Sequence, residues 1–236
     1  MLLAECSGPV SCLAFCLELG AIAVGDTRNH IHILDADSGV KRREIETEMS
    51  VMCVTFAPQM RAVISGEGSM AKESYKVVIW DMDSGEWRTE MSYSDMVFAL
   101  TYVPELRLVI SGDGEMMAEK RKGQVVTWSA ESGEKHLQIR CDNAVTAVAF
   151  AAEQHAVLSA DRSGAVVAWN ASSGAKQLEF GRGDAENAQA CMPYSICCVR
   201  EIEAVIVAET DFKSKLGRIL VCDAGSGELR FELPVE

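Results

Sequence analysis

A five-residue turn ending in Ser-Gly recurs five times along the chain and constrains the fold more than any other feature. The copies keep the same internal length and lie at residues 35–39, 81–85, 129–133, 170–174 and 223–227. A repeat of this kind is the signature of an architecture in which each copy is one supersecondary unit.

Each turn lies between predicted β-strands, which we label a, b, c and d in the order of the chain. An apolar, β-branched segment such as Val77-Val78-Ile79-Trp80 precedes every turn, two further apolar segments come before it, and a more polar segment follows the turn. Strand a is predicted at 10–15, 51–56, 97–102, 145–150 and 194–199, strand b at 21–25, 62–66, 108–112, 156–160 and 204–208, and strand c at 31–34, 77–80, 125–128, 166–169 and 219–222. Runs of this composition bounded by turn residues are typical of strands.

Four short antiparallel strands per repeat predict an all-β fold, a β-propeller of about five four-stranded blades. Strand a is apolar on both faces and should lie innermost, whereas the polar strand d should form the exposed outer edge. We expect a single propeller segment over residues 1–236. It would consist of a leftover outer strand at 1–8 and blades at approximately 9–48, 49–94, 95–142, 143–190 and 191–236.

The pattern resembles WD40 repeats across essentially the whole chain. Trp80-Asp81 is an intact Trp-Asp pair, residues 51–58 are close to the strand-a pattern of that family, and residues 111–113 resemble its strand-b ending. The resemblance implies a propeller that binds other proteins. No Gly-His dipeptide precedes any strand a. The family's His–Asp–Ser–Trp network therefore cannot form in its usual shape.

A second family competes with this interpretation. Residues 217–227 also look like the strand and turn of quinoprotein-type propeller repeats. Those units often end in a Trp after the turn glycine, and only Trp87 comes near such a position. The strand-a pattern favours the WD40 family over this alternative.

An acidic residue follows strand b in every repeat. These residues are Asp26, Glu67, Asp113, Asp161 and Glu209. We interpret them as carboxylates that cap the turn after strand b. The alternative is a ring of carboxylates that binds a cation or a basic peptide.

The blade count suggests that the propeller is part of a larger ring or an incomplete one. WD40-type rings usually close when an N-terminal strand completes a C-terminal blade that lacks one strand. Here no predicted blade lacks its strand d, so this kind of closure is not expected. An open arc would expose apolar blade faces. We therefore expect self-association through uncapped blade faces.

Composition limits the function classes. With 35 acidic and 22 basic residues, the chain has a formal net charge of −13, which argues against a nucleic-acid-binding module. Nine cysteines cannot all pair within one chain, and no Cys-x-x-Cys zinc spacing is present. We expect reduced thiols in the cytoplasm or nucleus and no secretion. Cys12, Cys53, Cys197 and Cys222 should react slowly because they lie in apolar strands.

Motifs for catalysis are missing from the sequence. It contains no Gly-x-Ser-x-Gly motif and no phosphate-binding glycine loop. His30 and His32 share one strand face and could form a metal pair, but an exposed strand pair is the preferred interpretation. The sequence therefore predicts no enzyme, no catalytic residues, no metal and no cofactor.

The longer b–c connections are the candidate binding elements. Their basic and aromatic residues are Lys72, Tyr75, Lys76, Lys120, Arg121, Lys122, Phe212, Lys213 and Lys215. The c–d turns carry acids instead, so the two ends of the blades should differ in charge. We predict a non-catalytic protein-interaction scaffold that binds other proteins, such as those with acidic segments, through loops on one face. The alternative is a quinoprotein-like or other enzymatic or cofactor-binding propeller.

Overall fold

The computed structural model describes residues 6–115, 122–180, 191–211 and 216–235. Its strands form five four-stranded antiparallel sheets, each built from four consecutive strands, so the predicted all-β architecture of about five propeller blades is confirmed.

The strand bounds follow the predicted repeat closely. Blade 1 contains β1 (Val10–Cys16), β2 (Ala21–Asp26), β3 (His30–Asp35) and β4 (Lys41–Glu46). Blade 2 contains β5 (Ser50–Ala57), β6 (Ala62–Ser69), β7 (Ser74–Asp81) and β8 (Trp87–Tyr93). Blade 3 contains β9 (Met96–Val103), β10 (Leu108–Gly114), β11 (Gly123–Ser129) and β12 (Lys135–Cys141). Blade 4 contains β13 (Val145–Ala151), β14 (Ala156–Asp161), β15 (Val166–Asn170) and β16 (Lys176–Glu179). Blade 5 contains β17 (Cys191–Val199), β18 (Ala204–Asp211), β19 (Gly217–Asp223) and β20 (Leu229–Val235).

Contacts between residues group the chain into two compact units. The first unit comprises Met1–Val109 and Trp128–Lys135, and therefore holds blades 1 and 2 with part of blade 3. The second unit comprises Ile110–Thr127 and His136–Glu236, and holds the rest of blade 3 with blades 4 and 5.

The Ser-Gly turn has the same geometry in every blade. Its glycine adopts a positive φ, 70° at Gly39 and 75° at Gly227, which costs little without a Cβ atom. The glycine N–H donates to the carbonyl of the first turn residue, as Gly39 does to Asp35 at 2.8 Å. The Asp35 carboxylate in turn accepts the Ser38 N–H at 2.7 Å. These bonds explain why the turn tolerates no change in length.

An aspartate–arginine clamp closes this end of three blades. The clamp joins the first turn residue to the arginine seven positions later, in the pairs Asp35–Arg42, Asp81–Arg88 and Asp223–Arg230. Each arginine also donates to a carbonyl of the a–b turn, as Arg42 does to Leu19 at 2.9 Å. Blade 3 has Ser129 and His136 at the two positions, and blade 4 has Asn170 and Gln177.

The blades pack against one another through apolar side chains of strands a, b and c. One core cluster joins blades 1 and 2 and includes Ile33, Val63 and Met82. Another joins blades 4 and 5 and includes Leu158 and Val205. Burial of these faces supplies the main driving force for stacking the repeats.

Strand a differs sharply in exposure between blades 1 and 2. Val51, Val54 and Phe56 of β5 are 0%, 7% and 5% exposed, as expected for an innermost strand. The matching residues of β1, which are Val10, Leu13 and Phe15, are 54%, 69% and 60% exposed. The same repeat positions that bury one strand leave an apolar face of β1 open to solvent.

Part of the network typical of WD40 repeats is present in two blades. The indole N–H of Trp80 donates to the Ser65 hydroxyl at 2.8 Å, and Trp169 donates to Ser159 at 2.8 Å. In blade 3 the indole of Trp128 donates to Tyr93 instead. The Trp–Ser half of the network therefore forms here without the family's Gly-His dipeptide.

Candidate functional site

The long b–c connection of blade 2 is a strand hairpin rather than a loop. β6 and β7 continue their pairing beyond the predicted strand ends, as far as the partners Ser69 and Ser74. Only residues 70–73 form the tip, which turns through hydrogen bonds from the N–H groups of Lys72 and Glu73. The expectation of a loop was wrong at this connection, because the extra residues extend the antiparallel ladder. Side chains on this hairpin are consequently held by a sheet.

All four residues of the hairpin tip, 70–73, are exposed to solvent. Lys72, a predicted site residue, is exposed. Met70 is 59% exposed and was not singled out from the sequence, although an apolar residue inside a polar turn was a visible signal. Tyr75 is half-buried because its ring lies over Gly68, where an added Cβ would come within 2.8 Å of the ring carbon Cδ1.

Lys76 contacts one acidic residue of its own blade and one in the connection between β4 and β5. Its ammonium group lies 2.8 Å from Glu48 and 3.2 Å from Glu90, and its side chain is only 13% exposed. Burial alone would lower the pKa of Lys76, but the two ion pairs raise it above its ordinary value. This lysine is therefore less available to a partner than Lys72.

Lys122 is an exposed residue next to β11, and its carbonyl accepts the Glu115 N–H at 3.1 Å. The remaining predicted site residues lie outside the described part of the chain. These are Lys120, Arg121, Phe212, Lys213 and Lys215. The structure thus places Lys72, Tyr75 and Lys76 on one hairpin of the first unit and Lys122 on a hairpin of the second unit.

The acidic residues that follow strand b have two kinds of hydrogen-bond partner, and the length of the b–c connection determines which kind. Where the connection is short, the carboxylate caps the turn, as predicted. Asp26 accepts the N–H groups of Arg28 and His30 at 2.9 and 3.0 Å. Asp161 accepts those of Ser163 and Ala165 at 2.8 and 3.2 Å.

Where the connection is long, the acid bonds within the hairpin instead. Asp113 accepts the backbone N–H and the side-chain amide of Gln124 at 3.1 and 2.7 Å. Glu209 forms an ion pair with Arg218 at 2.6 Å. Each of these two carboxylates binds a partner from its own hairpin. In the alternative interpretation the carboxylates would instead share one bound cation.

Glu67 is the least satisfied of the five acids. It is fully buried and accepts the Ser65 hydroxyl at 2.7 Å, while its second carboxylate oxygen has no hydrogen-bond partner. Burial raises the pKa of Glu67 to about 7. This carboxyl group therefore changes protonation near neutral pH.

The expectation of an exposed histidine pair was wrong for His32. Its ring is fully buried, with Nε2 lying 3.1 Å from Asp26 and Nδ1 lying 3.2 Å from Glu44. His30 stacks beside it, with ring centroids 5.9 Å apart. Glu44 is the cross-strand neighbour of His32 on the paired strand β4, a contact that the sequence pattern alone did not reveal. Among the described residues, no group of three or more histidine, cysteine or acidic side chains has an arrangement that could hold a metal.

All nine cysteines are free thiols. Cys53 and Cys222 are buried, in agreement with slow reaction, and burial raises the pKa of Cys53 well above its ordinary value. Cys12 is half-buried. Cys197 is exposed, so its predicted protection was wrong. A bulge between Pro193 and Ser195 precedes it, and the strand then turns Ile196 inward and Cys197 outward.

The acids of the c–d turns are engaged by arginines. Besides the clamps, Asp83 pairs with Arg61 at 2.6 Å and Glu131 pairs with Arg107. Hydrogen bonds from Arg88 and Arg230 hold the pKa values of Asp81 and Asp223 well below their usual range. The predicted negative charge at this end is therefore largely paired within each blade.

The family model PQQ_2, described as outer membrane protein assembly factor BamB, matches residues 87–236. The chain belongs to this family. No curated protein matches the sequence. The strand-a pattern favours WD40 repeats over quinoprotein-type repeats, and the family match leaves the quinoprotein-type alternative open.

Solved structures support the fold independently. A WD40 propeller chain in the crystal structure of the mitotic checkpoint complex superposes with a TM-score of 0.76 at 18% sequence identity. The alignment covers 99% of this chain and 67% of that chain. At this identity the likeness shows the fold alone. Across the described residues, we find no helix with the length and apolar character needed to cross a membrane.

Proposed function

We propose that the chain is a non-catalytic protein-interaction scaffold of WD40 type, which binds an acidic segment of a partner protein through its b–c hairpins. The observation that carries the proposal is the β6–β7 hairpin, which presents Met70 and Lys72 to solvent at the tip of an antiparallel ladder. The similar structure is that of a protein complex, and the matching family is described as an outer membrane protein assembly factor; both descriptions are consistent with a role in protein binding.

Charge and shape at the tips favour this partner chemistry. The chain has a net charge of −13, yet exposed lysines lie on the extended hairpins at Lys72 and Lys122. Exposed charges of this kind steer an oppositely charged segment and accelerate association. Met70 and Tyr75 supply apolar surface beside Lys72, and methionine and tyrosine are enriched in protein interfaces.

Charge reversal at the tips tests the proposal. Lys72→Glu combined with the triple change Lys120→Glu, Arg121→Glu and Lys122→Glu should slow association with an acidic partner at least tenfold at low salt. Lys176→Glu, an exposed strand-d lysine, is the matched control for Lys72→Glu alone and should leave the rate unchanged. Unaltered association of the quadruple variant, at equal thermal stability, would contradict the proposal.

The cofactor-binding alternative rests on the family match and makes a different prediction. A quinone bound in the propeller would quench the fluorescence of Trp80, which is 7% exposed. Under our proposal, a soluble quinone quenches the tryptophan emission only by collision with exposed indoles such as Trp87, so quenching rises without saturation. Saturable quenching would instead support the cofactor-binding propeller. We also propose a reducing compartment, cytoplasm or nucleus, since free thiols such as Cys53 lie buried between blades.

Self-association is a second candidate property, favoured by the open face of β1. Val10, Leu13 and Phe15 form an apolar stripe whose repeat equivalents in blade 2 are buried. Light scattering of the purified chain should detect concentration-dependent association, and Leu13→Lys with Phe15→Lys should reduce it. A wild-type chain that stays monomeric at all concentrations would contradict this property.

A further inference from the structure

A cleft of about 440 Å³ lies between blades 4 and 5. Its floor is formed by apolar side chains that belong to the core between these blades, including Leu158, Ala168, Val205 and Ala224. Two amide side chains, Gln154 and Gln177, lie among the lining residues. The cleft is bordered by the a–b turn of blade 4 and the c–d turn of blade 5, at the opposite end of the strands from the b–c hairpins.

Two alanines line this space at positions that carry larger residues in blades 1 and 2, while the strand-b partner of Ala168 is Leu158 where blade 1 has Ala23. Ala168 occupies the strand-c position that holds Ile33 in blade 1 and Ile79 in blade 2. Ala224 occupies the c–d turn position that holds Met82 in blade 2. Ile33 and Met82 are buried in one core cluster between blades 1 and 2. At these two positions the junction of blades 1 and 2 carries larger buried side chains than the junction of blades 4 and 5.

The cleft has also lost the charges found at the same repeat positions. Gln177 replaces the clamp arginine of blades 1, 2 and 5, and its partner position holds Asn170 instead of aspartate. Gly225, at the position of Asp83 in blade 2, lines the cleft, and a Cβ added there would lie 3.5 Å from Oδ1 of Asp223. No residue that lines the cleft is charged. A charged occupant would therefore lose its hydration without gaining an ionic partner, whereas an apolar one would bury apolar surface.

We infer that the cleft binds an uncharged aliphatic or aromatic side chain carried by an extended peptide segment of a protein partner. The apolar floor receives that side chain, and the amides of Gln154 and Gln177 hydrogen-bond to the flanking peptide groups, since an amide both donates and accepts. The volume lies within the usual range for small ligand sites, about 300–1,000 Å³. This site is separate from the b–c hairpins and goes beyond the scaffold function proposed above.

A peptide library provides the test. Random heptapeptides are displayed and selected on the full chain, and the enriched sequences are synthesised for anisotropy measurements. The expected peptides contain one aliphatic or aromatic residue with uncharged neighbours. The double variant Ala168→Ile and Ala224→Met introduces the Ile33–Met82 pair, so it should fill the cleft, keep the fold and weaken binding at least tenfold. Ala36→Met, the same substitution at the matching turn of blade 1, should change affinity less than twofold.

A second variant keeps the test decisive if the filled core misfolds. Asn170→Asp with Gln177→Arg installs the clamp with little change in core volume, and it should weaken the same peptides at least fivefold. Lys72→Glu should leave their affinity unchanged, which separates this site from the proposed hairpin surface. Selection of charged peptides, an absence of enriched peptides, or unchanged affinity in a folded filled or clamped variant would overturn the inference. So would self-association of the chain that the filled variant abolishes, because the occupant would then be a second copy.

Discussion

The junction between blades 1 and 2 and the junction between blades 4 and 5 are built from the same repeat and differ at a few side chains. In the first, Ile33 and Met82 fill the core, and Arg42 clamps Asp35 beside it. In the second, alanine stands at both core positions, and Gln177 replaces the arginine. Turn geometry and strand pairing are common to both junctions and specify the blade, whereas side chains at the c–d end change how each junction is packed.

The largest effect should come from opening the closed junction. Ile33 is fully buried, so Ile33→Ala leaves a cavity and should lower the free energy of unfolding by about 2–5 kcal/mol. Urea denaturation measures the change. The matched change Ala168→Ile should leave stability equal or raised because it fills existing space. A loss of stability in both variants would show that the two junctions are equally packed.

Protonation of Glu67 in blade 2 should make the free energy of unfolding depend on pH near neutrality. Its pKa is about 7 when folded and near its ordinary 4.5 when unfolded, so the folded state binds the proton more tightly. The resulting stability is complete below pH 4.5 and is lost as pH rises through 7, by about 3 kcal/mol at 1.4 kcal/mol per pKa unit. Denaturation at pH 5 and pH 8 should show this loss in the wild type and little of it in Glu67→Gln. An equal slope in both proteins would assign the dependence to other groups.

Exchange of glycine and alanine at one strand-b position compares the packing of blade 2 with that of blade 4. A Cβ on Gly66 would lie 2.5 Å from the Cys53 sulfur and 3.2 Å from a Val97 methyl carbon, so Gly66→Ala should cost about 1–3 kcal/mol through overpacking. Blade 4 has a native alanine, Ala160, at the same repeat position, buried without exposure to solvent. Thermal melts of Gly66→Ala and Ala160→Gly check the asymmetry. If Gly66→Ala melts as the wild type does, the close approach in blade 2 is not a constraint.

The clamp itself should contribute least to stability. Arg42→Gln copies the residue of blade 4 into blade 1 and should lower the melting temperature only slightly, since solvent screens an exposed ion pair. Lys41→Gln on the same strand is the control for loss of one positive charge. A large drop for Arg42→Gln alone would make the clamp a main support of the closed junction.

Much of the fold could be predicted from the sequence because its signals are local. Glycine at the end of each turn and the apolar runs on either side depend on neighbouring residues, and the strands begin and end close to the predicted positions. The continued pairing of β6 and β7 was missed because polar residues such as Lys76 can also occupy a loop. The burial of His32 was missed because it depends on Asp26 and Glu44, which approach only after the sheet forms.

The cleft could have been found by comparing the repeats position by position. Asn170 and Gln177 together depart from the Asp and Arg of three other blades, and this paired change was visible in the sequence. What the sequence could not give is the space, which depends on how Ala168 and Ala224 face each other across two blades. The length and charge of the b–c connections pointed to the proposed binding surface on the hairpins. The ion pairs of Lys76 could be seen only in the structure.

Site-specific photocrosslinking tests the proposed scaffold function most directly. A photoreactive amino acid replaces Lys72 at the β6–β7 tip in one protein, and replaces Asp37 in the c–d turn of blade 1 in another. Both are expressed at equal levels in cells and irradiated. The account predicts a discrete covalent protein adduct from position 72 that weakens with added salt in extracts, and none from position 37. A specific adduct from position 37 with none from position 72 would contradict it.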